Sequence, residues 1–193
     1  NIKDSNLLIE IFISNSYEEE MLIFFDFFRY DHFFDIGANI GLFSFYATKI
    51  KRWPTTAYEA YPRNIEYIKK IMKLNNIFFE INETAISNKF GKSKFHVPIA
   101  KNSSKLASSS TLDIEEMKRI YENIKYETIE VRTIPFSSVL KDINPKKNYL
   151  IKIDVEGWEY KIISSTKILK TLRNVDLIFL QVCFWAKCKN RRY

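Results

Sequence analysis

Phe33-Phe34-Asp35-Ile36-Gly37-Ala38-Asn39-Ile40-Gly41 carries two of the four glycines in this 193-residue chain. An apolar run ends at an aspartate, turns through a glycine pair and enters an amphipathic stretch over residues 42–50. The order predicts a β-strand, a tight turn and a helix start. Glycine lets the backbone turn sharply and be approached closely, because no Cβ intervenes. The helix start presents N–H groups that have no intrahelical partner. Open α/β sheets bind ligands beyond the carboxyl ends of their strands, so the phrase reads as a nucleotide or cofactor cradle. The alternative is a βα turn that uses glycine for geometry alone.

The spacing narrows the ligand. A dinucleotide turn wants G-x-G-x-x-G, its glycines supporting a pyrophosphate at the helix N-terminus. Here the spacing is G-x-x-x-G, with Asn39 where the middle glycine would be. A phosphate loop needs G-x-x-x-x-G-K-[ST], and that full pattern occurs nowhere in the chain. These departures suit a cofactor whose amino-acid end lies against the turn. Asp35 could then face an ammonium group, and backbone N–H groups a carboxylate.

Thr55-Thr56-Ala57-Tyr58-Glu59 predicts a short second strand that ends in an acid. An acid about 20 residues past a glycine turn, at the end of the second strand, is where a ribose diol is held. A surface glutamate before a helix is the other reading. Pro62 suits the first turn of a helix, where its fixed φ is tolerated. Tyr61, Ile65, Ile68, Met72 and Leu74 supply that helix with apolar positions.

Tyr149-Leu150-Ile151-Lys152-Ile153-Asp154-Val155-Glu156-Gly157-Trp158-Glu159 predicts an apolar strand delivering charged residues at its carboxyl end, with a helix over residues 160–169. With this element the chain resembles the FkbM-type S-adenosylmethionine-dependent methyltransferases. Their signatures are an Asp-x-Gly-Ala-Asn-x-Gly turn, a strand-end Glu followed by Pro, and a late Lys-x-Asp-x-Glu-Gly-x-Glu. All three occur here in order, at residues 35–41, at Glu59 with Pro62, and at residues 152–159. Glu83-Thr84-Ala85-Ile86-Ser87-Asn88-Lys89-Phe90-Gly91 resembles a further family segment, as does Ser108-Ser109-Ser110 before Thr111-Leu112. The resemblance extends over residues 17–184, and two long motifs together are far more specific than either alone.

The resemblance implies an α/β, doubly wound, mostly parallel sheet with helices on both faces, the Rossmann-like class I methyltransferase fold. It implies S-adenosyl-L-methionine across the carboxyl ends of the first strands. On matching positions, Asp35, Gly37, Asn39 and Gly41 would hold the methionine part and Glu59 the ribose hydroxyls. Thr84, Ala85 and Ser87 would border the adenine. The implied acceptor is a hydroxyl of a sugar or another small metabolite.

A strand end also delivers Asp154 and Glu156 beside the methyl donor, which makes them candidate catalytic residues; a positioned carboxylate acts as a general base. Glu159 joins them as a candidate base or metal ligand. Acids at a helix start can instead serve only to stabilise its N-terminus, by about 0.3–1 kcal/mol each. Lys152, between Ile151 and Ile153, is a candidate to pair with an acid inside the sheet. Two positions depart from the family pattern. Ala60 stands where proline directly follows the acid, and Gln181 stands where an acid is usual in the last apolar strand, residues 177–184. The sequence stops soon after that strand: either it is truncated before the closing antiparallel hairpin, or the sheet edge is formed differently.

Length and composition predict one domain: an N-terminal helical segment (1–30), a cofactor-binding core (31–184) and a basic tail (185–193). Apolar content of 46% with 16% aromatics excludes a disordered chain. The formal charge of +7 raises nucleic acid as a partner, but no basic helix stripe with interleaved aromatics appears. Asp154-Val155-Glu156-Gly157 is also not the Asn/Asp-Pro-Pro-aromatic phrase of amino-methylating nucleic-acid enzymes. A degenerate cofactor-binding module without turnover is the other rival; the glycine pair and Glu59 weigh against it. Cys183 and Cys188 form no zinc pattern with the histidines, and a disulfide is not expected in a chain that reads as cytoplasmic. No metal is expected. No apolar run reaches the ~18 residues of a membrane span, and no signal peptide is apparent. Ser16 to Glu19 fits a capping box opening a helix. In the middle, strands are expected over 78–82, 93–97 and 129–134, and helices over 113–126 and 135–140. The polar stretch 99–111 reads as a substrate-side loop or a plain surface loop.

Overall fold

The computed structural model describes residues 29–99, 110–115, 118, 125–144, 146–164 and 177–180. The capping box at Ser16, most of the polar stretch, Gln181, both cysteines and the basic tail lie outside them. In chain order the elements are β1 (His32–Ile36), α1 (Leu42–Lys49), β2 (Thr55–Tyr58), α2 (Pro62–Asn75), β3 (Glu80–Asn82), β4 (Ala85–Ser87), β5 (Gly91–Ile99) and β6 (Lys125–Pro135). There follow α3 (Phe136–Val139), a 3-10 turn (Leu140–Asp142), β7 (Tyr149–Ile153), α4 (Glu159–Ile163) and β8 (Leu177–Leu180).

Five strands form a wholly parallel sheet in the order β3-β2-β1-β7-β8. All five residues of β7 are buried, as suits a central parallel strand covered on both faces. Phe34, Ile36, Ile151 and Ile153 join one core cluster with Phe136, Val139, Leu140 and Ile162. Their neighbours Phe33 and Leu150 join another, with Leu42, Phe43 and Ala47 of α1. Strand alternation sends these sets to opposite faces, and each such side chain contributes roughly 1.5–3 kcal/mol when fully buried. On the α1 side, Ile68 of α2 packs with Ala57, Phe79 and Ala38.

A second, three-stranded sheet has the order β4-β6-β5, with β5 antiparallel to β6 and β4 parallel to it. Phe95, Val97 and Val131 pack with Ala85 and with Ala60 at the end of β2, which holds this sheet against the large one. Three boundaries differ from expectation. β3 starts at Glu80, because Phe78 is 82% exposed and makes no ladder. β5 runs over Gly91–Ile99, beyond the expected 93–97. The helix expected to reach residue 126 gives way to strand at Lys125, since Lys125 and Tyr126 pair with Ile99 and Pro98.

Candidate active site

The strand order reverses between β1 and β7: the chain proceeds from β1 to β2 and β3 in one direction and from β7 to β8 in the other. Such a switch point opens a crevice at the carboxyl ends of the strands. The β1 turn forms one side of it. Gly37, Asn39 and Gly41 all have positive φ, at 74°, 54° and 80°, a region costly for most side chains. Gly37 and Ala38 donate their N–H groups to the Tyr58 carbonyl at 3.0 and 3.1 Å, fastening the turn to β2. A Cβ on Gly37 would lie 1.8 Å from the Asp154 carbonyl oxygen, and one on Gly41 would lie 2.8 Å from Ile68. The protein's own packing therefore requires both glycines.

Asp35 is fully buried and does not line the crevice. Its Oδ2 accepts from the Ser44 N–H at 3.1 Å and the Ser44 hydroxyl at 2.7 Å. α1 starts after Gly41, which has no side chain to cap it, so Asp35 supplies the missing acceptor to the third N–H of the helix. Its Oδ1 accepts from Lys152 Nζ at 3.1 Å. The ammonium that faces Asp35 in this structure is that of Lys152, its register partner on β7.

Glu59 is buried rather than a surface acid. Oε2 accepts from the Asn39 N–H at 2.7 Å; Oε1 accepts from the N–H groups of Ala60 and Tyr61 at 3.0 and 2.7 Å. One carboxylate thus locks the β1 turn to the end of β2. Burial pushes its carboxyl up to about 7, against the pull of these three donors and the Asn64 side chain.

On the other side of the crevice, the Asp154 N–H continues the ladder to the Ile36 carbonyl at 3.0 Å. Its Oδ2 lies 3.7 Å from Lys152 Nζ, and its Oδ1 is buried with no hydrogen-bond partner among the described residues. Burial raises its pKa, opposed by Lys152 and helped by the negative charges of Glu159 and Asp35. Glu156 adopts φ 53°, a left-handed conformation uncommon for a side-chain-bearing residue, and its carbonyl accepts the Thr111 hydroxyl at 2.8 Å. Glu159 is buried; its carboxylate accepts from the N–H groups of Val155 at 2.9 Å and Gly157 at 3.1 Å. The helix-start role open to this group of acids thus falls to Glu159, which holds the loop that carries the other two.

The crevice encloses about 640 Å³, counting its open mouth. Of the sequence-predicted residues, Gly37, Asn39, Glu59, Thr84, Ala85, Asp154 and Glu156 meet on its wall. Asp35, Gly41 and Ser87 stand behind it; the Ser87 hydroxyl is occupied with a local turn, donating to the Lys89 carbonyl at 2.9 Å. Thr111 pairs with His96 in both directions, at 2.8 and 3.0 Å, and so brings Ser110 and Leu112 onto the wall. Tyr58, Asn64 and Phe95 also line it, and sequence reasoning missed them. Tyr58 and Asn64 flank Glu59 closely enough to have been inferred from it. Phe95 arrives through the second sheet, which no motif announced.

Among the described residues no group of three or more His, Cys, Asp or Glu is arranged to hold a metal ion. No helix among them is long and apolar enough to cross a membrane. No curated protein and no solved structure matches the chain. The Methyltransferase FkbM domain matches residues 35–189, a span that starts at the Asp35 of the β1 turn and includes every residue placed on the crevice wall. The chain belongs to the FkbM methyltransferase family.

Proposed function

We propose that the chain is an S-adenosyl-L-methionine-dependent methyltransferase that O-methylates a hydroxyl of a sugar or another small metabolite. The observation that carries this reading is the convergence of the Gly37–Asn39 turn, Glu59 and Asp154 on one crevice at the switch point of the sheet. Two buried polar atoms with no partner among the described residues belong to its wall, Thr84 Oγ1 and Asp154 Oδ1. Unmet hydrogen-bonding capacity of this kind calls for a ligand or ordered water. Ile86 and Phe95 add apolar wall suited to a flat base. The donor set therefore fits the cofactor.

Gly37 and Asn39 would border the methionine part, Glu59 would accept from the ribose hydroxyls, and Thr84 and Ala85 would border the adenine. Asp35, Gly41 and Ser87 would act from behind, by shaping the turns. The bound cofactor supplies a sulfonium methyl, to which an acceptor oxygen bonds as the carbon–sulfur bond breaks, leaving the acceptor proton for a base. Asp154 is the candidate for that proton. Its burial raises its proton affinity, and a base works best with a pKa near the working pH. Glu156, on the same wall, would position the acceptor. Holding the two reactants together in the crevice, whose wall includes Ser110 and Leu112, can supply ~7–11 kcal/mol of barrier reduction. The same reading treats the chain as one doubly wound, Rossmann-like domain acting in the cytoplasm. Its support is the sheet order and a two-cysteine composition without a disulfide framework.

The test is incubation with radiolabelled S-adenosyl-L-methionine and fractionated cell glycans, lipids and RNA. Label in a glycan or small hydroxylated metabolite is expected. Label in RNA would replace the acceptor class, and cofactor binding without label in any fraction would favour a binding module.

A further inference from the structure

Lys152 is an ammonium buried within the parallel sheet, 3% exposed. It contacts Asp35 Oδ1 at 3.1 Å and the Gly37 carbonyl at 3.1 Å, both on the β1 side. On its own strand's exit it faces Asp154 Oδ2 at 3.7 Å, and it lies 5.4 Å from the centre of the Phe43 ring. The contact with Asp35 is tighter than the one with Asp154. Asp35 also accepts both donors of Ser44. Glu159, the other acid facing Asp154, accepts among the described residues from the N–H groups of Val155 and Gly157. One ammonium thus serves a buried set with an excess of carboxylates, and the carboxylate least well served is the one on the crevice wall.

We propose that Lys152 is a positioning residue for methyl transfer: it turns Asp154 so that Oδ2 faces the ammonium and Oδ1 stays unpartnered beside the crevice, and its division between Asp35 and Asp154 sets how readily Asp154 takes up a proton. The role rests on the reading of Asp154 as the proton acceptor. Lys152 touches no substrate in this scheme. It acts through Asp154, and Asp35 acts on Asp154 both by sharing Lys152 and by its own negative charge. Removing either neighbour should therefore move Asp154 in opposite directions. Loss of the Asp35 charge frees the ammonium for Asp154 and favours its ionised form; loss of the ammonium favours its neutral form.

The experiment is a carbon-13 NMR titration of protein labelled at the aspartate carboxyl carbons, the Asp154 signal being assigned by its absence in Asp154→Asn. Asp35→Asn should lower the Asp154 midpoint by about one pH unit or more, and Lys152→Met should raise it by a similar amount, within the ~1–3 units that a close charge produces. Asp35→Asn retains an oxygen for Ser44 but also removes a charge that acts on Asp154 directly, so the lysine's part is read from loss of the ammonium. Lys152→Gln, which keeps a donor without the charge, serves if Lys152→Met does not fold. A midpoint that loss of the ammonium leaves unmoved or lowers overturns the proposal. A midpoint unmoved by Asp35→Asn, or raised by it, overturns the proposal. Calorimetric titration of the unaltered protein with S-adenosyl-L-methionine separates the two levels. Binding with an unresponsive Asp154 sinks the positioning role alone. Absent binding sinks the functional reading beneath it and the methyl-transfer role with it, whatever Asp154 does.

Discussion

The space that a Cβ would take on Gly37 is occupied by the backbone carbonyl oxygen of Asp154, 1.8 Å away. The turn after β1 and the exit of β7 are thus in backbone contact, and the two sides of the crevice are fixed relative to each other. The Asp154 N–H also donates to the Ile36 carbonyl at 3.0 Å, a second backbone tie between the same two segments.

Gly37→Ala should be the most damaging single change in the turn. It adds an overpacking cost of about 1–3 kcal/mol to a left-handed backbone penalty of about 1–2 kcal/mol. Gly41→Ala has a similar φ but meets Cγ1 of the buried Ile68 side chain, at 2.8 Å, rather than backbone, so its overpacking cost should lie at the low end of the ~1–3 kcal/mol range. Urea unfolding of both variants checks the order; equal costs would mean that the Asp154 contact relaxes freely.

Glu159→Ala should destabilise the domain by about 1–3 kcal/mol, because it leaves the N–H groups of Val155 and Gly157 without their acceptor. The effect belongs to the loop and not to a metal: added divalent cations should not restore the wild-type melting temperature. Recovery by a cation would instead make Glu159 a ligand.

The parts of this architecture legible in the sequence are those where one local pattern fixes one local geometry. The strand–glycine–helix phrase at Asp35–Gly41, the strand-end acid at Glu59 and the late Lys152–Glu159 run each announce a strand exit, and exits of parallel strands converge by topology. Direction was harder to read than position. Asp35 sits at the expected strand end, yet its carboxylate turns back to Ser44 and Lys152, since a helix capped by glycine needs an acceptor from elsewhere. Long-range contributions stayed hidden for a related reason. Phe95 and Leu112 reach the crevice through pairing with β6 and with His96, and no local periodicity encodes a partner far away in the chain. The start of β6, Lys125 to Thr128, looks helical or looped until its partner strand is known.

Asp154→Asn should separate chemistry from folding. Asparagine keeps the shape but cannot accept the acceptor's proton, so single-turnover transfer to the acceptor found by radiolabelling should fall ~10²-fold or more, with cofactor affinity little changed. Stability should hold or rise at neutral pH, because burial makes the ionised aspartate costly and asparagine removes that cost. Intact turnover would take Asp154 out of the chemistry.

Glu59 gives the cofactor reading a pH signature. Its carboxyl lies at about 7 in the free protein, and ribose hydroxyls donate best to the ionised form. Binding must then expel a proton below that value. Affinity should weaken as pH falls from 7 to 6, by at most about 10-fold per unit, and change little between 7 and 8. Glu59→Ala should lose roughly 1.5–3 kcal/mol of binding together with the pH dependence.

Calorimetric titration of the folded, monodisperse protein with S-adenosyl-L-methionine at pH 6, 7 and 8, beside Glu59→Ala, is the most direct measurement. Saturable binding is expected, tighter at pH 7 than at pH 6 and much weakened by the substitution. Absence of heat together with an unshifted melting temperature, or binding of NAD in its place, would contradict the assignment of the crevice to this cofactor.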